Sequence, residues 1–369
     1  VSVRVARWDA AFWQEQFAAL PRTRFLPDLI WPHDRSVRAA RPVDRRTDPD
    51  GWQAAADANV PVVTQWDDGQ HTGTKPGSLP TSSASMPSVV AAMLDAADLA
   101  PGMRVLEIGT GTGWTAALMT RHLGDGAITS IEIDPAVAAA AKTALDTAGL
   151  HPRLVVGDGL AGHPDGAPYD RLISTMGIRD IPAAWLEQVR PGGLIVTPWS
   201  THYTNGDVLT VLTVHDDGSA TGRFLQPLEF MKARSQRRHL PAYAPDLAPV
   251  TDTETEVDPT IIAEHHPCTF AAGLKLPGIA YAVQQRDDGG QTLWLYALNG
   301  TAWSATVLKQ GTTTAHVRQV GPRRLWNELT EVHTWWRQAG EPGIDRLGIT
   351  TSGNGWTAWL DTPDHPVAC

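Results

Sequence analysis

The run Val105-Leu106-Glu107-Ile108-Gly109-Thr110-Gly111-Thr112-Gly113 constrains this chain more than any other stretch. Val105 to Ile108 reads as a short buried strand that ends in glycines, and Trp114 to Leu123 follows with helical apolar spacing at Ala117, Leu118 and Met119. Glycine lacks a Cβ and tolerates positive φ, so a strand–glycine–helix junction lets a ligand approach the backbone closely. Alternating strand and helix continues from Ser78 to about Leu225, with strands expected at Ala127–Ile133, Leu154–Val156, Leu172–Ser174 and Leu194–Thr197. That pattern predicts a parallel sheet covered on both faces.

Spacing narrows the ligand. In a dinucleotide fingerprint the third glycine falls three residues after the second, where this chain has Trp114, and no lysine follows the glycines as a phosphate loop requires. Glu-x-Gly-x-Gly-x-Gly suits S-adenosylmethionine, an amino acid-bearing nucleoside without phosphate. Glu107, Gly109, Thr110, Gly111, Gly113 and Trp114 are therefore candidate cofactor contacts. Glu132 ends the second strand roughly 20 residues beyond Gly109, the spacing at which a carboxylate meets ribose hydroxyls, with Ile133 beside it. Asp158 and Gly159 end the third strand, where an adenine amine would lie.

The rest of the 369 residues divides by style into a lead-in over 1–75, an α/β core over 76–240 and a smaller C-terminal α+β domain over 241–369. The lead-in holds a helix from Trp8 to Leu20, stopped by Pro21, and an arginine-dense segment containing Arg35, Arg38, Arg41, Arg45 and Arg46. That segment suits a solvated loop or an arm that steers an acidic peptide. Two strands, Val208–Val214 and Arg223–Phe230, are expected to pair antiparallel at the sheet edge. Pro241–Pro267 carries six acidic residues and no lysine or arginine, the composition of a linker or wrapping loop. Beyond it come a hairpin across Asn299-Gly300, an amphipathic helix over Pro322–Ala339 and a hairpin joining Leu347–Thr350 to Trp356–Leu360.

A net charge of −10 gives no global field for phosphates, so nucleic acid is not the expected partner. Cys268 and Cys369 stand in no ligand spacing and His265-His266 lies in the acidic segment, so no metal is assigned. The start at Val1-Ser2-Val3-Arg4 lacks a leader's apolar stretch and no run is long enough to span a membrane, making the cytoplasm the expected setting.

The order Thr81-Ser82-Ser83-Ala84-Ser85-Met86, Val105–Ala116, Gly157-Asp158-Gly159, Ala167-Pro168-Tyr169-Asp170, Ile181-Pro182, Gln188, Pro191-Gly192-Gly193 and Pro198 resembles the protein-L-isoaspartate O-methyltransferase family over roughly residues 55–232. The resemblance implies a Rossmann-like class I methyltransferase fold, and an acceptor that is an aspartate or isoaspartate carboxylate of a peptide or protein. It also makes Ser83 the match to the serine that lines the family's methyl-acceptor site. Ser82 stands where the family has isoleucine, Ser85 where it has proline, and Trp114 where tyrosine is common.

A carboxylate is already ionised at neutral pH, so attack on a sulfonium methyl needs orientation and no general base. Ser82, Ser83 and Thr175 are the hydroxyls expected to hold it, though each also suits ordinary loop capping. Two enzyme readings follow. The C-terminal domain resembles the extension of actinobacterial relatives that methylate an aspartate of a ribosomally made macrocyclic peptide on the way to an aspartimide. Repair of isoaspartate in damaged protein is the alternative. A peptide-binding module on a cofactor-stabilised scaffold is the reading from another class.

Overall fold

The structure, a computed structural model, describes residues 10–34, 39–241, 247–257, 266–353 and 355–367. The Val1–Arg4 leader reading, Arg35, Arg38, Asp246, Asp258, Glu264, His265, Asn354 and Cys369 lie outside them.

The lead-in has an architecture that composition did not reveal. After α1 (Ala10–Ala19), the strands β1 (Leu29–Asp34), β2 (Ala39–Ala40), β3 (Val43–Asp44), β4 (Val62–Trp66) and β5 (Pro80–Ala84) form an antiparallel sheet. It packs on α2 (Pro49–Asp57) through Ile30, Trp52, Val62 and Ala84. Asp48 caps α2 by accepting from the Gly51 N–H at 2.9 Å, with Pro49 in the first turn, where its missing N–H has no intrahelical partner to lose. The buried guanidinium of Arg22 is the polar hub of this unit. It donates to the carbonyls of Ala56 (3.0 and 2.8 Å), Ala58 (2.9 Å), Val60 (2.9 Å) and Ser85 (3.0 Å). Burial, offset in part by Asp57, pulls its pKa down to about 10, which still leaves it charged at neutral pH.

The core then follows the expected order. After α3 (Pro87–Ala97), β6 (Val105–Ile108), α4 (Trp114–Leu123), β7 (Ile128–Glu132), α5 (Pro135–Ala148), β8 (Arg153–Val156), β9 (Tyr169–Ser174), α6 (Ala183–Gln188) and β10 (Val189–Trp199) build parallel pairs in the order β10-β9-β6-β7-β8. Residues of β6 are buried on both faces, which is why it reads as a continuous apolar run apart from Glu107. Val90, Leu94, Leu118 and Leu145 cover one face together with Trp13 and Leu20, while Trp185 and Leu186 cover the other. Asp134 caps α5, and Gly149 closes it with φ +71°.

β11 (Asp207–Val214) and β12 (Ala220–Leu228) pair antiparallel as expected, but β12 is not the sheet edge. The acidic segment also contributes more than a linker, because β13 (Val250–Thr255) pairs in full with β17 (Ala315–Val320). With β14 (Ile279–Gln285), β15 (Gln291–Ala297) and β16 (Trp303–Leu308) it forms a second antiparallel sheet. Helices α7 (Pro267–Lys275) and α8 (Leu325–Gln338) pack beside that sheet, α8 starting three residues later than its proline suggests. The closing hairpin of β18 (Leu347–Thr351) and β19 (Trp356–Leu360) then returns to the core, where β18 pairs with β12. Sheet pairing therefore crosses the proposed boundary at 240. The nine strands run β19-β18-β12-β11-β10-β9-β6-β7-β8.

Arg22→Met is expected to destabilise the protein by about 3 kcal/mol, because several buried and half-buried carbonyls lose a shared charged donor. Denaturant unfolding measures the loss, and limited proteolysis should show the first cuts between α2 and β4, where Arg22 holds Ala58 and Val60.

Candidate active site

Gly109, Gly111 and Gly113 have φ of +93°, +54° and +87°, values a side chain would strain, so the turn after β6 depends on glycine. The amides of Gly109 and Thr110 both donate to the Ile131 carbonyl, at 2.8 and 3.1 Å, which fixes the turn to β7. It lies where strand order reverses between β7 and β9, the position at which open parallel sheets bind ligands.

Glu132 ends β7 with its carboxylate toward the turn. One oxygen accepts from the Gly111 N–H at 2.9 Å and the other from the Asp134 N–H at 3.1 Å. Each retains a lone pair for a further donor, as a ribose diol requires. Asp158 is exposed, with one oxygen accepting from the Leu160 N–H at 2.9 Å and the other open. Gly159 is buried, its carbonyl accepting from the Trp185 indole at 2.9 Å. Ile133 is 43% exposed and Val156 56% exposed, an unusual state for apolar residues at the carboxyl ends of core strands. They offer an apolar surface for a base between Glu132 and Asp158. Val156 was not singled out from sequence, although its place just before Gly157-Asp158 was the available signal.

Glu107 differs from the other acids. It is fully buried, accepts from the Ser130 hydroxyl, and Ser130 lies 2.6 Å from the Thr110 hydroxyl, giving a buried chain from the strand to the turn. Burial, with a smaller contribution from Glu132 and against the Ser130 bond, pushes its pKa up to about 8.

The serines expected on the acceptor side lie on β5. A Cβ placed on Gly111 would lie 3.5 Å from the Ser83 carbonyl and 4.0 Å from the Ser82 hydroxyl, so the serine strand faces the glycine turn directly. Ser82 is buried and its hydroxyl lies 3.3 Å from that of Thr64. The Ser83 hydroxyl makes no hydrogen bond among the described residues and is the freer donor.

Two expectations change. Thr175 sits beyond β9 as foreseen, but its single hydroxyl proton is directed at the carbonyls of Gly109 and Ile108, so it supports the turn and is not free for an acceptor. Trp114 begins α4 with its indole turned away from the turn, donating to the Leu20 carbonyl at 2.9 Å and lying 5.0 Å from the Phe17 ring. It anchors the lead-in helix. His266 is not a bare loop residue either: its Nδ1 caps α7 by accepting from the Cys268 N–H at 3.1 Å. Sequence reading also missed Gln65, Asp68, Arg234 and Arg237, which meet beside Asp134 only in the folded chain. No helix among the described residues is long and apolar enough to cross a membrane.

Residues 65–238 match the family described as protein-L-isoaspartate(D-aspartate) O-methyltransferase. A protein-L-isoaspartate O-methyltransferase of Pyrococcus horikoshii is 42% identical over 136 residues, which are 37% of this chain and 61% of that protein. One of Hyperthermus butylicus is 38% identical over 157 residues, 40% of this chain and 64% of that protein. The chain thus spans about three fifths of the length of these curated relatives. A solved structure of a protein-L-isoaspartate O-methyltransferase superposes over 96% of this chain and 94% of its own, with a TM-score of 0.53 and 21% identity. Residues 65–238 thus match that family's pattern, and the class I methyltransferase fold is shared with the solved structure over nearly the whole chain.

The raised pKa of Glu107 has a stability consequence. An unfolded glutamate ionises near 4.5, whereas the native one holds its proton to about 8, so native stability falls as pH rises across that window. Glu107→Gln should therefore gain in Tm relative to wild type between about pH 5 and about pH 9, by roughly 3 °C or more. Thermal unfolding of the ligand-free proteins at both pH values tests it, and a constant difference would contradict a buried neutral acid.

Proposed function

We propose that this chain is an S-adenosylmethionine-dependent carboxyl O-methyltransferase acting on isoaspartyl residues of polypeptides. One observation supports the reading most: the Gly111 N–H donates to the Glu132 carboxylate, and the space where a Cβ of Gly111 would stand is bordered by Ser82 and Ser83, so the residues expected on the two sides of the motif lie around one backbone position. The sequence match over 65–238 spans both sides.

In this reading Glu132 accepts from the ribose hydroxyls, Asp158 and the exposed faces of Ile133 and Val156 hold the base, and the glycine turn admits the amino acid portion. When bound there, S-adenosylmethionine would supply an activated methyl for a carboxylate oxygen, its sulfur keeping the electron pair of the broken bond. The chain's own work is orientation. Ser83 donates to the carboxylate without neutralising it, and Thr175 fixes the Gly109 carbonyl so that the turn does not shift. No residue needs to remove a proton, since the acceptor is ionised at neutral pH. The expected cytoplasmic setting belongs to this reading.

A second reading, methylation of an aspartate in a ribosomally made macrocyclic peptide, has one observation in its favour. Ser82, on the strand that faces the turn, and Ser85, just beyond its end, depart from the family pattern. The C-terminal part does not add to it, since a like fold occurs in a protein-L-isoaspartate O-methyltransferase.

Incubation with methyl-labelled S-adenosylmethionine and a synthetic isoaspartyl peptide should give a base-labile methyl ester, with the aspartyl peptide far poorer. Ester on the aspartyl peptide alone would favour the second reading, and none on either would end both. Ser83→Ala should lower kcat about tenfold with cofactor affinity unchanged. Glu132→Ala should weaken S-adenosylhomocysteine binding by roughly tenfold or more by calorimetry.

A further inference from the structure

We propose that Arg234 is a positioning residue that clasps the acceptor strand to the cofactor side of the site. The inference rests on the functional reading above, in which β5 holds the acceptor and Glu132 the cofactor.

The clasp joins three distant parts of the chain. The Arg234 guanidinium lies 3.0 Å from Asp68, in the segment between β4 and β5, and 3.0 Å from Asp134, which caps α5 and gives its amide to Glu132. Arg237 grips the same Asp68 with two bonds, of 2.7 and 2.9 Å. A second path runs alongside. Gln65 donates to Asp134 at 3.0 Å, Thr81 donates to Gln65 at 2.8 Å, and the Asp68 amide donates to Thr81 at 3.1 Å. The residue after Thr81 is Ser82, so the network ends on the acceptor strand.

Both ends of the clasp are built for rigidity. The segment carrying Arg234 is held to the loop after β9, where the Gly177 N–H donates to Met231 at 2.8 Å and the Ala233 N–H to Gly177 at 2.9 Å. Lys232 between them is paired with the buried Asp207 at 2.7 Å. At the other end Asp67 and Asp68 take φ of +52° and +53°, a left-handed conformation that is strained for non-glycine residues. Asp67 offsets this by accepting from the amides of Ser78 and Leu79, at 3.1 and 2.8 Å, and Asp68 through its arginines.

The clasp is poorly suited to stabilising the fold as a whole. The side chains of Arg234 and Asp68 are 30% and 36% exposed, and pairs this exposed contribute little to global stability. They are well suited to holding geometry, where a shift of about 1 Å between reacting groups can cost roughly 100-fold in rate.

The test compares wild type with Arg234→Gln, Arg234→Lys and Asp134→Asn, the last keeping the helix cap because asparagine caps as well as aspartate. With an isoaspartyl peptide, Arg234→Gln and Asp134→Asn should lose about tenfold in kcat/KM for the peptide, while S-adenosylhomocysteine affinity stays within about twofold. Arg234→Lys should recover part of the loss. Raised salt should bring wild type toward the variants and leave Arg234→Gln little changed. Unchanged kcat/KM in Arg234→Gln, or a parallel loss of cofactor affinity, would overturn the clasp. If wild-type protein methylates no isoaspartyl peptide, the functional reading fails. Amide hydrogen exchange over residues 62–84 then decides the clasp separately: faster exchange in Arg234→Gln supports it and unchanged exchange refutes it.

Discussion

The hydrogen bond from the Gly111 amide to the Glu132 carboxylate is the constraint around which the site is organised. It can form only because the chain between β6 and α4 takes positive φ at alternate residues, which exposes a backbone amide to the next strand. Around it the protein invests buried polar contacts that hold the turn still. Thr175 holds Gly109, Ser130 links Thr110 to Glu107, and the Ile131 carbonyl takes two amides. Buried polar groups of this kind fix geometry because any alternative arrangement leaves one of them unpaired.

The opposite wall is assembled by a different route. The serine strand belongs to a small antiparallel sheet with its own apolar core, outside the parallel core. Its position relative to the glycine turn rests on side chains from elsewhere. Arg22 takes the Ser85 carbonyl at the end of the strand, while Arg234 and Gln65 tie the strand's lead-in to Asp134. The two halves of the site thus rest on separate foundations and meet through arginine fork contacts, whose planar donors suit several acceptors at once.

The C-terminal part is joined to the core by strand pairing and by aromatic packing. β18 extends the sheet from β12, and Trp199, Phe224, Phe270 and Trp356 form one aromatic cluster from the core, α7 and the final hairpin. Ring contacts of this kind add to area burial and resist sliding. The described residues beyond 241 are therefore continuous in packing with the nine-stranded sheet.

Much of the core was legible because its signals are local. Strand and helix periods, the caps at Asp134 and Gly149, the Asn299-Gly300 hairpin and the alternate glycines each depend on neighbours in sequence. The carboxylate at Glu132 followed from the spacing of one strand–helix–strand unit. What sequence could not decide was where side chains point and which distant residues they meet. Trp114 and Thr175 lie at the expected positions, yet tertiary packing turns the indole onto Leu20 and Phe17 and directs the hydroxyl to Gly109. β13 was hidden because an edge strand rich in Asp, Glu and Thr carries no apolar alternation, and its pairing is determined by β17. Arg22, Asp68 and Arg234 are ordinary charged residues in sequence, and their roles arise from contacts such as Arg22–Ala56, 34 positions apart, and Arg237–Asp68, 169 apart, which no local pattern encodes. The sequence by itself determined the glycine turn and the layered sheet around it, because both rest on local backbone preference. Only the tertiary structure decided how the serine strand meets that turn, because that depends on long-range pairing of buried and half-buried polar groups.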